Sequence, residues 1–102
     1  MAQVGSGYVG IMSVELHFPE GGSLKAKRRD LQSVKARLSR RFGASVAEVD
    51  HHELWQRSRI TLACVAGEYA GVTELLDGAE RYLWAQAFEV GATDRDVMKV
   101  GE

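Results

Sequence analysis

The chain has 102 residues, 26% of them charged, one cysteine and a formal net charge of −1 at pH 7, which is typical of a single globular domain with its own hydrophobic core. One cysteine excludes an internal disulfide, and Cys64 lies in an apolar run where we expect it to pack as a small hydrophobic side chain. No apolar run approaches the length of a membrane span, and the N-terminus lacks the layout of a signal peptide, so we predict a cytoplasmic protein without a membrane partner.

Six periodic segments follow a leader at residues 1–7, which we predict to be flexible. Alternating apolar and polar side chains are typical of a strand with one buried face, and apolar residues three and four apart are typical of an amphipathic helix. Ser23 and Gly43 occupy the positions of an N-cap and a left-handed C-cap around the first helical segment. The patterns predict strands over 8–18, 44–50, 57–67 and, more weakly marked, 90–100, and helices over 23–42 and 69–89.

The order β-α-β-β-α-β, with one apolar face on each element, predicts a single α+β domain over residues 8–100. The expected fold is the ferredoxin-like sandwich, an antiparallel sheet with both helices on one face. In that topology the first and third strands are antiparallel neighbours, and the opposite face of the sheet is open. The polar end of this open face is predicted to pair Glu15 and His17 with Arg57 and Arg59.

The apolar end of the open face is predicted to be the interface of a homodimer. Contiguous apolar patches on a polar surface usually mark contact sites, and twofold dimers are the commonest way to cover them. The predicted interface residues are Val9, Ile11, Ala63 and Val65.

The first helical segment has the most uneven charge in the chain. Residues 24–42 carry a net charge of +7, which leaves −8 for the remainder. Such a concentration of cations is the electrostatic signature of a nucleic-acid interface, although a solvated helix face is the simpler alternative. The residues predicted to bind nucleic acid are Lys25, Lys27, Arg28, Arg29, Lys35, Arg37, Arg40 and Arg41.

The stretch AEVDHHELWQRS, residues 47–58, brings two histidines and several carboxylates to the hairpin between the second and third strands. Adjacent histidines diverge on a regular backbone and lack the i, i+4 spacing of helical zinc ligands. Neither a nucleophile nor an oxyanion hole accompanies the carboxylates. We therefore predict no metal site, no cofactor and no catalytic residue, and a protein that is not an enzyme.

The same hairpin is expected to be an ordered loop in which Asp50 and one histidine hydrogen-bond to the backbone. Trp55 either covers the end of the core or lies exposed as a stacking platform for a base or a partner. The loop and the end of the first strand together predict a binding edge that consists of His17, Asp50, His51, Trp55, Gln56 and Arg57.

Four short blocks resemble the YlxP-like family of small bacterial proteins, a family of unknown function. The resemblance covers roughly residues 8–90, and the blocks are VELHFP at 14–19, SLKAKR at 23–28, VAEVDH at 46–51 and LWQR at 54–57. Ala26 departs from the glutamate that is common in the family, which leaves only half of a capping box. The resemblance implies a ferredoxin-like fold. It also implies a connection with RNA or the ribosome, because genes of the family often lie among those for translation and ribosome-maturation factors.

These observations together predict a non-enzymatic factor that associates with ribosomal particles or structured RNA through the basic helix. The alternative is a dimeric protein-interaction or small-ligand-binding module that uses the edge formed by His17, Asp50, His51 and Trp55.

Overall fold

The computed structural model describes residues 5–19 and 22–101 and confirms the predicted order of elements. Residues 1–4 of the predicted leader lie outside the described residues, and the first strand begins at Gly7. The strands are β1 (Gly7–His17), β2 (Ser45–Asp50), β3 (Arg57–Ala66) and β4 (Glu89–Val100), and the helices are α1 (Leu24–Phe42) and α2 (Tyr69–Trp84).

The four strands form one antiparallel sheet in the order β2-β3-β1-β4, with both helices packed on one face. This arrangement is the predicted ferredoxin-like sandwich. The β1–β3 register is also as predicted, and its pairs on the open face are Val9 with Val65, Ile11 with Ala63, Glu15 with Arg59 and His17 with Arg57.

The core lies between the sheet and the helices, where Met12, Leu38, Leu62 and Leu76 are fully buried. A Cβ atom at Gly10 would stand 2.8 Å from a methyl carbon of Leu76. The absence of a side chain at Gly10 therefore lets α2 pack directly on β1.

Helix α1 has both caps that its sequence predicts. The Ser23 hydroxyl accepts a hydrogen bond from the Ala26 amide at 3.0 Å. Gly43 adopts the left-handed conformation with φ of 64°, and its amide donates back to the last turn. Within residues 5–19 and 22–101, no helix combines the length and apolar character needed to cross a membrane.

The C-terminal third differs from the sequence prediction in its boundaries. Helix α2 ends at Trp84 rather than at residue 89, and Phe88 packs against Phe18 with ring centroids 5.4 Å apart. The Phe88 side chain therefore closes the end of the core from a loop. The sequence predicts a longer helix because Ala87 lies four residues after Leu83, at helical spacing. Strand β4 runs for 12 residues, although its alternation is weak in the sequence.

Candidate functional site

A buried lysine of α1 holds the β2–β3 hairpin loop, residues 51–56. The Lys27 side chain is 1% exposed, and its Nζ atom donates to the carbonyl oxygens of His51 at 2.8 Å, Leu54 at 2.5 Å and Arg57 at 3.0 Å. Nζ also lies 3.0 Å from Glu48 Oε2. An ammonium group has three protons, so the loop backbone and one carboxylate satisfy it fully.

The predicted role of Lys27 in an exposed nucleic-acid-binding surface is therefore wrong. Its side chain runs inward from the flank of the apolar stripe of α1 and ends among three carbonyl groups, those of His51 and Leu54 in the loop and that of Arg57 at the start of β3. The lysine supplies a hydrogen bond to each of them, and a buried carbonyl group without a hydrogen bond is costly.

Glu48 of β2 completes the network around Lys27. Its Oε2 atom accepts a hydrogen bond of 2.7 Å from the hydroxyl of Ser58, which is fully buried. Burial alone would raise the pKa of Glu48, but the hydrogen bonds from Ser58 and Lys27 and the charge of Lys27 outweigh it and hold the pKa below its usual value. The network is therefore an ion pair sealed between α1, β2 and β3.

The hairpin loop has the ordered backbone that its sequence predicts. His51 adopts a left-handed conformation with φ of 65°, and its amide donates to Asp50 Oδ1 at 2.8 Å. The Leu54 amide donates to the His51 carbonyl at 3.1 Å and closes a turn. His52 Nε2 donates to the Glu48 carbonyl at 3.1 Å, which confirms the expected bond from one histidine to the backbone.

The residues of the predicted binding edge do not converge on one point. His17 Nδ1 lies 3.0 Å from Glu89 of β4, whereas the ring of His51 faces Glu15. Gln56 contributes its carbonyl oxygen, which accepts from the amide that follows β1. Across residues 5–19 and 22–101, no three His, Cys, Asp or Glu side chains are grouped so as to hold a metal ion.

Glu15 is the centre of an ion-pair cluster on the open sheet face. Arg59 donates to its Oε1 at 3.0 Å, while His51 Nε2 and Arg57 Nη2 lie 3.4 and 3.6 Å from its Oε2. Burial would raise the pKa of Glu15, but the hydrogen bond from Arg59 and the charges of His51 and Arg57 lower it below the usual value. Near neutral pH this carboxylate stays ionised and links the loop to β1 and β3.

The other cations of α1 form what we call the basic surface. Lys35 is half-buried and the remaining members are exposed, and no ion pair joins any of them to a carboxylate in the part of the chain that the structure describes. The guanidinium of Arg41 lies 5.2 Å from the ring centre of Phe42 and 5.8 Å from that of Tyr82. The basic surface consists of Lys25, Arg28, Arg29, Lys35, Arg37, Arg40 and Arg41.

The apolar end of the open face has one member that sequence reasoning missed. Val65 is 68% exposed, and Met98 of β4 lies opposite Val9 in the register and is 43% exposed. The weak alternation of β4 did not indicate which of its residues share this face. The homodimer through this patch stays a prediction.

Replacing Ile11 by Glu together with Val65 by Lys is expected to give a folded monomer, because charges in the patch would be desolvated on association. Sedimentation equilibrium against wild type measures the change. Val49→Glu is the matched control, since Val49 is 48% exposed but belongs to the edge strand β2. A wild-type protein that is monomeric at high micromolar concentration contradicts the prediction.

Comparison with known proteins assigns the chain to a protein family. The model of the family described as "Protein of unknown function (DUF503)" matches residues 9–96. The chain belongs to this family. It is similar to "Uncharacterized protein YlxP" of Bacillus subtilis (strain 168), with 31% identity over 58 residues, which are 57% of this chain and 63% of that protein. The chain therefore aligns with less than two thirds of that relative's length.

A distant structural likeness also exists. The solved structure titled "Structure of CPII bound to ADP and bicarbonate, from Thiomonas intermedia K12" is 14% identical, with coverage of 97% of this chain and 94% of that chain and a TM-score of 0.39. At that TM-score nothing about this chain follows from the likeness.

The four blocks that carry the family resemblance meet in space. SLKAKR supplies Lys27, VAEVDH supplies Glu48, and the last residue of LWQR supplies a carbonyl to the Lys27 ammonium. VELHFP supplies Glu15, which faces His51 of the loop. Much of the motif is thus explained by the need to fix the hairpin loop against α1 and β1.

Proposed function

We propose that this protein is a small non-enzymatic factor that binds structured RNA, as found in ribosomal particles, through the basic surface of α1. The observation that carries the proposal is the set of seven surface cations on one helix without an ion pair to a described carboxylate. Unpaired cations gathered on one element attract phosphate groups over a distance of about a Debye length.

The segregation of charge supports this proposal. Several acidic side chains elsewhere pair with cations outside α1: Arg95 binds Asp77 and Glu80, and Arg59 binds Glu15 and Asp94. Within α1 the only acid is Asp30. The positive field of the basic surface is therefore not neutralised by the helix itself.

The position of the cations along α1 gives a second argument. Lys25 and Arg28 lie in the first turns of the helix, and the first turn contains no acidic residue. Positive charge at a helix N-terminus opposes the helix dipole and costs roughly 0.3–1 kcal/mol for each charge. A bound phosphate would make the net electrostatic interaction at this end of the helix favourable. Lys25 and Arg28 therefore cost stability in the free protein and would contribute to the binding of an anion.

The expected contacts are with the phosphate backbone rather than with bases. The cations extend over about 24 Å of the helix, a length that matches several successive phosphates of a duplex. Arginine forks bind phosphate oxygens in pairs. On the open face, β1 and β3 present Val9, Ile11, Ser13, Arg59 and Thr61 rather than the aromatic side chains on which sheet-binding proteins stack bases.

Replacing Arg29, Arg37 and Arg40 by Gln should remove about three phosphate contacts and lower the slope of log K against log salt by about three. The test is sedimentation of cell lysate on sucrose gradients at low and high salt, followed by titration of purified ribosomal RNA. The matched control is Arg81→Glu with Ala70→Glu, which lowers the net charge by the same amount at exposed positions of α2.

The wild-type protein is expected in the ribosomal fractions at low salt and at the top of the gradient at high salt. The triple variant is expected at the top of the gradient at both salt concentrations. The control should sediment like wild type. Wild-type protein at the top of the low-salt gradient, or a triple variant that binds ribosomal RNA with unchanged salt dependence, contradicts the proposal.

The alternative, a protein-interaction or small-ligand module at the His17, Asp50, His51 and Trp55 edge, has one supporting observation: Leu54 and Trp55 of the loop are exposed. The separate partners of His17 and His51 count against a shared site. Capture of a partner that survives ribonuclease treatment and is lost in His51→Ala and Trp55→Ala would favour this alternative.

A further inference from the structure

Trp55 is a large aromatic residue that stays at the surface of a well-anchored loop. Its exposed fraction is 38%, and that of the preceding Leu54 is 47%. Full burial of such side chains would be favourable by a few kcal/mol each. The fold instead keeps them at the tip of a hairpin, which is where binding residues are commonly carried by a rigid scaffold.

The loop is rigid because α1 anchors it from the inside. Lys27 binds the carbonyl oxygens on both sides of Trp55, those of Leu54 and Arg57, and pairs with Glu48 below the loop. The position of Trp55 is therefore fixed when the protein folds, and little conformational entropy remains to be lost when it binds a partner.

The same lysine attaches the loop of Trp55 to the helix that carries the basic surface. Lys27 lies between Lys25 and Arg28 in the first turns of α1, and both of these neighbours are exposed. The hydrogen bonds of this buried side chain thus hold the loop that carries Trp55 against the first turns of α1, where Lys25 and Arg28 also lie.

We infer that Trp55 is a stacking platform for an unpaired base of an RNA whose adjacent phosphates lie on Lys25 and Arg28. The inference rests on the proposed function and names its RNA class, a duplex interrupted by a bulge or a loop. An unpaired base offers a free face to an indole ring, whereas bases within a duplex are already stacked on each other.

The surroundings of Trp55 favour RNA over an apolar pocket on a protein. Binding hot spots in protein interfaces lie at the centre of a patch from which charged residues are depleted. Trp55 is instead carried by a loop that is bound to the first turns of α1, the part of the helix that also carries Lys25 and Arg28, and it is followed by the exposed Gln56 and Arg57. Aromatic rings interspersed with cations are typical of proteins that bind single-stranded segments of RNA.

The experiment compares two RNA hairpins of equal length, one fully paired and one with a single bulged 2-aminopurine, whose fluorescence is quenched on stacking. Trp55→Ala is expected to bind the bulged hairpin about tenfold to a hundredfold more weakly than wild type, with unchanged affinity for the paired hairpin and unchanged salt dependence. Trp55→Phe should retain most of the binding and quenching. Trp84→Ala is the matched control, because Trp84 is 59% exposed but lies at the end of α2.

The outcomes separate this inference from the proposed function. If wild type binds neither hairpin, the proposed function fails and the inference fails with it. If wild type binds both and Trp55→Ala binds the bulged hairpin equally well, the inference alone is overturned. Trp55-dependent capture that persists after ribonuclease digestion also overturns it and assigns Trp55 to a protein partner.

Discussion

Lys27→Met is expected to lower the free energy of unfolding by about 3–5 kcal/mol, the usual cost of removing one partner from a buried ion pair. The variant leaves the carboxylate of Glu48 without its counter-charge and also removes the lysine's hydrogen bonds to the carbonyl groups of His51, Leu54 and Arg57. For a domain of this size each kcal/mol lowers Tm by about 4–8 °C, so the fall in Tm should be at least about 12 °C.

Urea unfolding followed by far-ultraviolet circular dichroism measures this loss. Lys35→Met is the matched control on the same helix, because Lys35 makes no ion pair to a described carboxylate, and its effect should stay within about 0.5 kcal/mol. A Lys27→Met protein that unfolds within about 1 kcal/mol of wild type contradicts the prediction.

The double variant Lys27→Met with Glu48→Met separates the two contributions of the ammonium group, its ion pair with Glu48 and its hydrogen bonds to backbone carbonyl groups. Exchange of a whole buried ion pair for apolar side chains is often neutral. The carbonyl groups of Leu54 and Arg57 would still lack the hydrogen bonds that Lys27 donates to them, so stability should recover only in part. Full recovery would mean that water or a changed loop conformation satisfies them.

The sequence predicts the fold well because every element except β4 has one strong local signal. Ser23 and Gly43 mark the ends of α1, and the β1–β3 register follows from the topology together with the alternation of apolar residues. Helical periodicity fails to mark the end of α2, because the same spacing of apolar residues can occur in a loop that follows the helix. Ala87 lies four residues after Leu83 and so fits the spacing of α2, although the helix ends at Trp84.

The strand β4 was weakly predicted because its helix-facing positions are not all apolar. Arg95 lies on that face and binds Asp77 and Glu80 of α2 through its two terminal nitrogens at 2.8 and 2.9 Å. The pair of carboxylates replaces part of the apolar contact that alternation detects. Such a strand can be recognised only when the residues that pack against it in the folded protein are known.

The candidate site was predictable in its residues but not in their roles. The loop, its backbone hydrogen bonds and the charge of α1 follow from turn chemistry and composition. The burial of Lys27 does not, since five of the six basic residues that follow it in the helix are exposed and the sequence alone does not distinguish Lys27 from them. Only the flank position of Lys27 and the helix-facing position of Glu48 on β2 hint at the pair.

Glu48→Gln is expected to be the second most destabilising of these changes, by about 3–5 kcal/mol at pH 7, because a buried ammonium group loses its counter-charge. The difference from wild type should shrink as the pH falls. The pKa of Glu48 is lowered in the folded protein from 4.5, so the folded state binds fewer protons than the unfolded state in the acid range. Its stabilising contribution is complete above the unfolded pKa and is lost as the pH falls through the folded pKa.

Urea midpoints measured from about pH 7 down to about pH 3 test this convergence. A protonated Glu48 is neutral like glutamine, so the two proteins should approach equal stability at the acid end. Glu53→Gln, at an exposed position of the hairpin loop, should follow the wild-type curve throughout. Curves for wild type and Glu48→Gln that stay parallel would contradict the prediction, since the carboxylate would then contribute through its shape and hydrogen bonds and not through its charge.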